Sequence, residues 1–251
     1  MIIHVVDRTQ GAVSNAERKQ VIRAVNKQIS RDFVPFWGMP CKLLDGGDKP
    51  PSKDLPDIQD ACILYLQTQV DVEDAVGYHD RNAKGVPFGV VFTELAKQLG
   101  EPWSVTFSHE VLELLGDPQA NLLAMGPRPK SPKGDVFHWF EMCDAVQAQT
   151  YVIDSVVVSN FVLPFYFTME QDGQNDFMNS GLKSFGVNPG GYIGYYDPAT
   201  GNHEQFVPKD DKVAKQRLAI KSLLGRARRS SRYKMTSAER VSASRGRTKG
   251  K

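Results

Sequence analysis

The apolar positions of this chain change period from one stretch to the next, and each change marks an element. Near the start, "IIHVVD" is short and β-branched and predicts a first strand. In "AERKQVIRAVNKQISRDF" the apolar Val21, Ile22, Val25 and Ile29 recur at helical spacing, with Ser14 or Asn15 placed as the cap. "FWGMPCKLL" predicts a second strand and "ACILYLQTQV" a third. Between them, "DGGDKPPSKDLPD" has the composition of a loop. "GYHDRNAKG" also reads as a loop, "VPFGVVF" as a strand and "TELAKQLG" as a short helix.

A longer helix is predicted from Pro102 or Trp103 to Leu115, with Gly116 placed to end it and Pro118 beyond. "NLLAMGPRPKSPKGD" reads as a loop. "FHWFEMCDAVQ" fits either a strand or a helix. "YVIDSVVVSNFVLPFYF" predicts one or two strands, and "PGGYIGYYDPATGNHEQF" a hairpin turning at Asp-Pro-Ala-Thr-Gly-Asn. "KVAKQRLAIKSLLG" is basic and amphipathic and predicts a last helix. These elements imply an α+β domain over residues 1–210, a basic helix over 211–225 and a tail over 226–251.

Charge changes the picture at the C-terminal end. Of 251 residues, 31 are Lys or Arg and 29 are Asp or Glu, which hides an asymmetry. Residues 212–251 hold 14 of the basic residues and a single acid, Glu239, so this end carries +13 and the remainder −11. From Arg226 onward few large apolar side chains remain to offset the entropy of ordering, and disorder is expected. Such a tail can attach to nucleic acid or another anionic surface through counterion release, or remain a solvated charge run. No apolar run is long enough for a membrane span. The start lacks the basic and apolar regions of a signal peptide. Three scattered cysteines (Cys41, Cys62, Cys143) point to reduced thiols in a cytoplasmic or otherwise intracellular setting.

The candidate chemistry lies in "FSHEVLELLGDP", residues 107–118. At about 100° per residue, Glu113, Asp117 and Glu110 fall within about 100° of His109, on one stripe. Phe107, Leu114, Val111, Leu115, Leu112 and Val105 fill the remaining arc, interrupted only by Ser108. A helix apolar over most of its circumference is packed on several sides. Buried carboxylates on such a helix need partners. Solvent, a distant arginine or a divalent cation could each serve, and a cation would satisfy imidazole and carboxylate together.

Other residues carry weaker signals. His79 sits in the expected loop "GYHDRN", where a histidine is ordinarily exposed, although it could face a cleft and polarise a substrate. His138 is expected to pack beside Trp139. Tyr151, Tyr192, Tyr195 and Tyr196 are candidate oxyanion donors. His4 and His203 are expected to be structural and exposed, respectively. The Gly-rich stretches lack a phosphate-site layout, and no serine-hydrolase elbow is present.

"HEVLE" at 109–113 resembles the H-E-x-x-H helix of zincin metallopeptidases, in which residues four apart bind zinc and the intervening Glu activates water. Glu113 stands where the second histidine would be; a carboxylate is an acceptable zinc ligand. Gly116 matches the turn glycine of the metzincin branch, but that branch's third histidine would align with Gln119. The gluzincin branch takes a later Glu with an acid close behind, and "WFEMCDAV" offers Glu141 and Asp144. The order of elements over residues 15–145 also resembles a zincin upper half, with "VPFGVVF" as the strand that would pair with extended substrate. The segment is similar as well to uncharacterised bacterial and phage proteins with an "SHEVLE…DP" stretch followed by E-x-C-D.

The resemblance implies a zincin-like α+β fold: a mixed β-sheet with an active-site helix, followed by the C-terminal hairpin and basic tail. It implies Zn2+ or another divalent cation on His109, Glu113 and Glu141, with Glu110 as general base on a peptide or protein substrate. Asp144 and Asp117 are the alternative ligands. A helix over Glu141 and Asp144 would let both reach one site, and that conformation is the expected one. The competing reading is a non-catalytic structural or assembly protein of a phage or similar particle, virion-associated, that binds anionic partners through its tail.

Overall fold

The computed structural model describes residues 1–48, 61–69, 76–82, 85–131, 134–169, 173–208 and 211. Apart from Asp211, the expected helix over 211–225 and the tail over 226–251 lie outside the described residues. Within them the chain has α+β character. Among them, no helix is long and apolar enough to cross a membrane.

The first half forms a five-stranded sheet from β1 (Ile2–Asp7), β2 (Lys42–Asp48), β3 (Ala61–Gln67), β4 (Gly77–Arg81) and β5 (Pro87–Phe92). Their order is β2-β1-β3-β5-β4. All neighbours pair in parallel except β4, which runs antiparallel along β5 at one edge. The strand expected to receive substrate, β5, is therefore interior; β4 is the edge. Helix α1 (Asn15–Gln28) connects β1 to β2, capped by the Ser14 side chain, which accepts from the Glu17 N–H. Its Val21, Ile22 and Val25 enter the core, as their spacing predicts. A wider helical turn, Ile29–Phe33, leads into α2 (Val34–Trp37), which ends at Gly38 in the left-handed region (φ 65°).

Helix α3 (Thr93–Gln98) follows β5, and α4 (Trp103–Gly116) follows α3. Helix α4 packs against β4 and β5 on one side. On another it meets a hairpin of β8 (Thr150–Ile153) and β9 (Val156–Ser159), which also touches α1. Phe107, Val111, Leu112 and Leu114 of α4 are fully buried in the main core with Leu64, Leu66 and Phe92. Ser108, the one polar residue in that apolar arc, donates to Val105 O and accepts from the Ser159 N–H at 2.8 Å. Ser104 donates to Val157 O at 2.7 Å, so two helix serines satisfy backbone groups of β9.

A second, antiparallel sheet has the order β11-β10-β7-β6, built from β6 (Leu123–Pro127), β7 (Asp135–Trp139), β10 (Ile193–Asp197) and β11 (Asn202–Phe206). The β10–β11 hairpin is the one predicted.

Several expectations are corrected by tertiary pairing. "DGGD" is part of β2, not a loop: Asp45 and Asp48 are held by the buried Arg18, which also pairs with Asp7 at 2.7 Å. Gly46 lies so close to Val5 O that a Cβ would stand 2.8 Å from it. "FWGMP" is helical turn and connection, and the strand begins only at Lys42. "GYHDR" is β4, and "LAMGP" is β6, each drawn into a strand by its sheet neighbour. Glu141 to Cys143 are not helical, and only Asp144–Val146 form a 3-10 turn. Gly116 ends α4 without a left-handed cap. A Cβ there would overlap Met142, so the glycine admits the 141–144 segment across the end of the helix.

Candidate metal centre

The polar stripe of α4 faces two elements: β4 on one side and the segment after β7 on the other. Successive strand residues alternate faces, so Gly77 and His79 point the same way, toward α4. A Cβ on Gly77 would stand 2.7 Å from Glu110 Oε1 and from Thr106 Cγ2. The absence of a side chain at Gly77 lets β4 lie against the helix, and His79 enters from two residues further on.

Six side chains converge there. His109 Nε2 lies 3.1 Å from Glu113 Oε1 and 3.3 Å from Asp144 Oδ1. Glu113 Oε1 also accepts from the Cys143 N–H at 3.2 Å. On the other side, His79 Nδ1 is 3.7 Å from Glu113 Oε2 and 3.9 Å from Glu110 Oε2, while its Nε2 is 3.9 Å from Glu141 Oε2. His79, Glu110, Glu113, Glu141 and Asp144 are all buried, and the His109 side chain is the most open at 12%.

These groups set one another's protonation. Burial of His109 works against its charged form and is the largest influence. The Glu113 charge and the hydrogen bonds donated to Asp144 and Glu113 outweigh it and raise the pKa well above the usual value. For Glu113, burial pushes up, but the His109 charge and hydrogen bond prevail and hold the carboxyl well below the ordinary range. Asp144 is raised, by burial first and then by the Glu113 charge. Cys143 is raised well above a normal thiol by burial, then by Glu113 and Asp144. Without another cation, protons neutralise part of the cluster.

The donor set fits a divalent cation. Ligating atoms of His109, Glu113 and Cys143 lie within 4.8 Å of one another, as do those of His79, Glu110 and Glu113. His79 Nε2 is a buried ring nitrogen without a hydrogen bond. A mixed imidazole and carboxylate set suits zinc and neighbouring divalent metals.

Of the expected residues, Glu113 and Asp144 contact His109, while Glu110 and Glu141 lie on the His79 side. Asp117 is fully buried, and its Oδ2 accepts from the Leu122 N–H at 2.8 Å, which commits that oxygen to the turn after α4. His138 is not at the centre: Nε2 contacts Pro127 O at 2.9 Å, and the ring packs on Phe185 more than on Trp139. Of the four tyrosines, Tyr192 lies beside Asp144 and hydrogen-bonds it. Tyr151 donates to Asp32 and Tyr195 to Glu204.

His79, expected on an exposed loop, is instead a buried residue of β4. Its signal was the turn "NAKG" between two strand-like runs. Asn82 and Gly85 bracket a tight reversal, with Gly85 N–H on Asn82 O at 2.9 Å and Asn82 N–H on Val86 O at 2.9 Å. A hairpin there makes "GYHDR" a strand.

Comparison of the chain with protein families, with curated proteins and with solved structures gives no match.

Proposed function

We propose that the chain is a metal-dependent peptidase with a zincin-like arrangement, in which His109, Glu113 and an acid of the 141–144 segment hold a divalent cation, Zn2+ being the best fit. The observation that carries this reading is His109 Nε2 set between two buried carboxylate oxygens, at 3.1 and 3.3 Å. Asp144 makes the second of these contacts, so it takes the ligand position ahead of Glu141.

A divalent cation there would supply Lewis acidity toward a substrate carbonyl. Glu110, next on the helix, would take up a proton from an attacking water. Among the described residues β4 has β5 as its one sheet neighbour, and an extended peptide can align along its other edge. Tyr192 and the Cys143 N–H orient Asp144 and Glu113, respectively.

Burial of the ligands supports a second reading, a structural metal site in an assembly protein whose basic C-terminal segment binds nucleic acid. One experiment separates the two. The zinc-loaded full chain is assayed for cleavage of an unstructured protein such as casein, beside Glu110→Gln. Cleavage reduced about 10²–10⁴-fold in Glu110→Gln with the metal on His109 and Glu113 retained supports the peptidase. A metal-loaded wild type that cleaves nothing supports the structural site, and a chain that takes up no metal refutes both.

A further inference from the structure

Glu113 presents one carboxylate oxygen to each of two groups of donors. Oε1 is 3.1 Å from His109 Nε2, which also stands 3.3 Å from Asp144 Oδ1. Oε2 is 3.7 Å from His79 Nδ1, and Glu110 Oε2 is 3.9 Å from that same nitrogen. The His79 side chain is 4% exposed, and its Nε2 makes no hydrogen bond. Separations of 3.7 and 3.9 Å are too long for hydrogen bonds. They suit atoms that share one cation: with ligand bonds of about 2.0–2.2 Å, neighbouring ligand atoms stand roughly 3–4 Å apart. An imidazole buried among three carboxylates at 3.7–3.9 Å has the spacing of a metal ligand.

We propose that the protein holds a second divalent cation on His79 Nδ1, Glu110 and Glu113, with the Glu113 carboxylate bridging it to the first cation on His109 and Asp144. This rests on the reading of the first site given above. Two divalent cations match in charge the four carboxylates of Glu110, Glu113, Glu141 and Asp144. Glu141 lies on the far side of the His79 ring, with Oε2 3.9 Å from Nε2. Glu110 ligates through Oε2, the oxygen that faces His79 Nδ1. Paired ions bridged in this way commonly stand about 3.5–4 Å apart and clamp both the attacking and the leaving oxygen of a displacement.

Metal stoichiometry and magnetic coupling in the full chain test the proposal. Elemental analysis after equilibration with Mn2+ and removal of free metal should find two equivalents in the wild type and one in His79→Gln. The paramagnetic resonance spectrum of the wild type should show an exchange-coupled pair. One equivalent in the wild type overturns the second site and leaves the first standing, whereas none overturns both. Two equivalents with the spectrum of isolated ions overturn the bridge. Two equivalents in His79→Gln overturn the assignment of His79.

Discussion

His109 and Glu113, one helical turn apart on α4, meet through Nε2 and Oε1 at 3.1 Å, and each moves the other's proton equilibrium. The pair faces inward only because β4 and the segment after β7 close over it. Its ionisation is thus a property of the fold, with measurable consequences.

Metal affinity should rise with pH. His109 must lose its proton to ligate, and its pKa is raised well above the usual imidazole value of about 6.5. Competition from protons therefore persists above that value and fades as pH rises through the raised one. Metal-free stability has the opposite sign. The His109 contribution is fully present below about 6.5, where the unfolded ring is also charged, and is lost as pH rises through the folded value. Titration calorimetry with Zn2+ in buffers of differing ionisation heat should show proton release near pH 7. Affinity independent of pH, with no protons released, contradicts this.

Gly77→Ala should destabilise the protein by about 1–3 kcal/mol, the usual range for overpacking. Its Cβ would stand 2.7 Å from Glu110 Oε1 and from Thr106 Cγ2. Urea unfolding measures the loss, and metal titration should show weakened binding because the strand carrying His79 is pushed from α4. Wild-type stability and affinity in this variant would mean that β4 does not lie against the helix.

Ser108→Ala removes a hydroxyl that accepts from the buried Ser159 N–H at 2.8 Å. An orphaned buried donor costs about 1–3 kcal/mol. The loss should appear in unfolding midpoints with metal affinity nearly unchanged, since Ser108 faces β9 and not the site. A loss of less than a few tenths of a kcal/mol would show that water or a shifted backbone replaces the bond.

Much of this arrangement was legible in the sequence, because α4 combines a strong apolar arc with a narrow acidic stripe, and both are local patterns. The stripe gave His109, Glu110 and Glu113 directly. His79 was not legible in the same way: it becomes a site residue only when "GYHDR" pairs with β5, a consequence of the turn at Asn82 and Gly85. The order of Glu141 and Asp144 around the centre was also hidden. It is set by an irregular segment that crosses α4 where Gly116 leaves room for Met142, a contact between residues far apart in the chain. "DGGD" misled for a related reason. Its glycines look like turn residues, but one of them admits the neighbouring strand, and Arg18 holds the acids beside it.

The most direct test of the metal centre is calorimetric titration of the full chain with Zn2+, run beside His109→Ala. The wild type should bind tightly and gain thermal stability as metal is added, by about 2.7 kcal/mol at a free concentration 100 times Kd. His109→Ala should remain folded and lose the site that includes Glu113 Oε1 and Asp144, together with most of that gain. A wild type that neither binds nor is stabilised, or a His109→Ala chain that binds as the wild type does, would contradict a metal centre on α4.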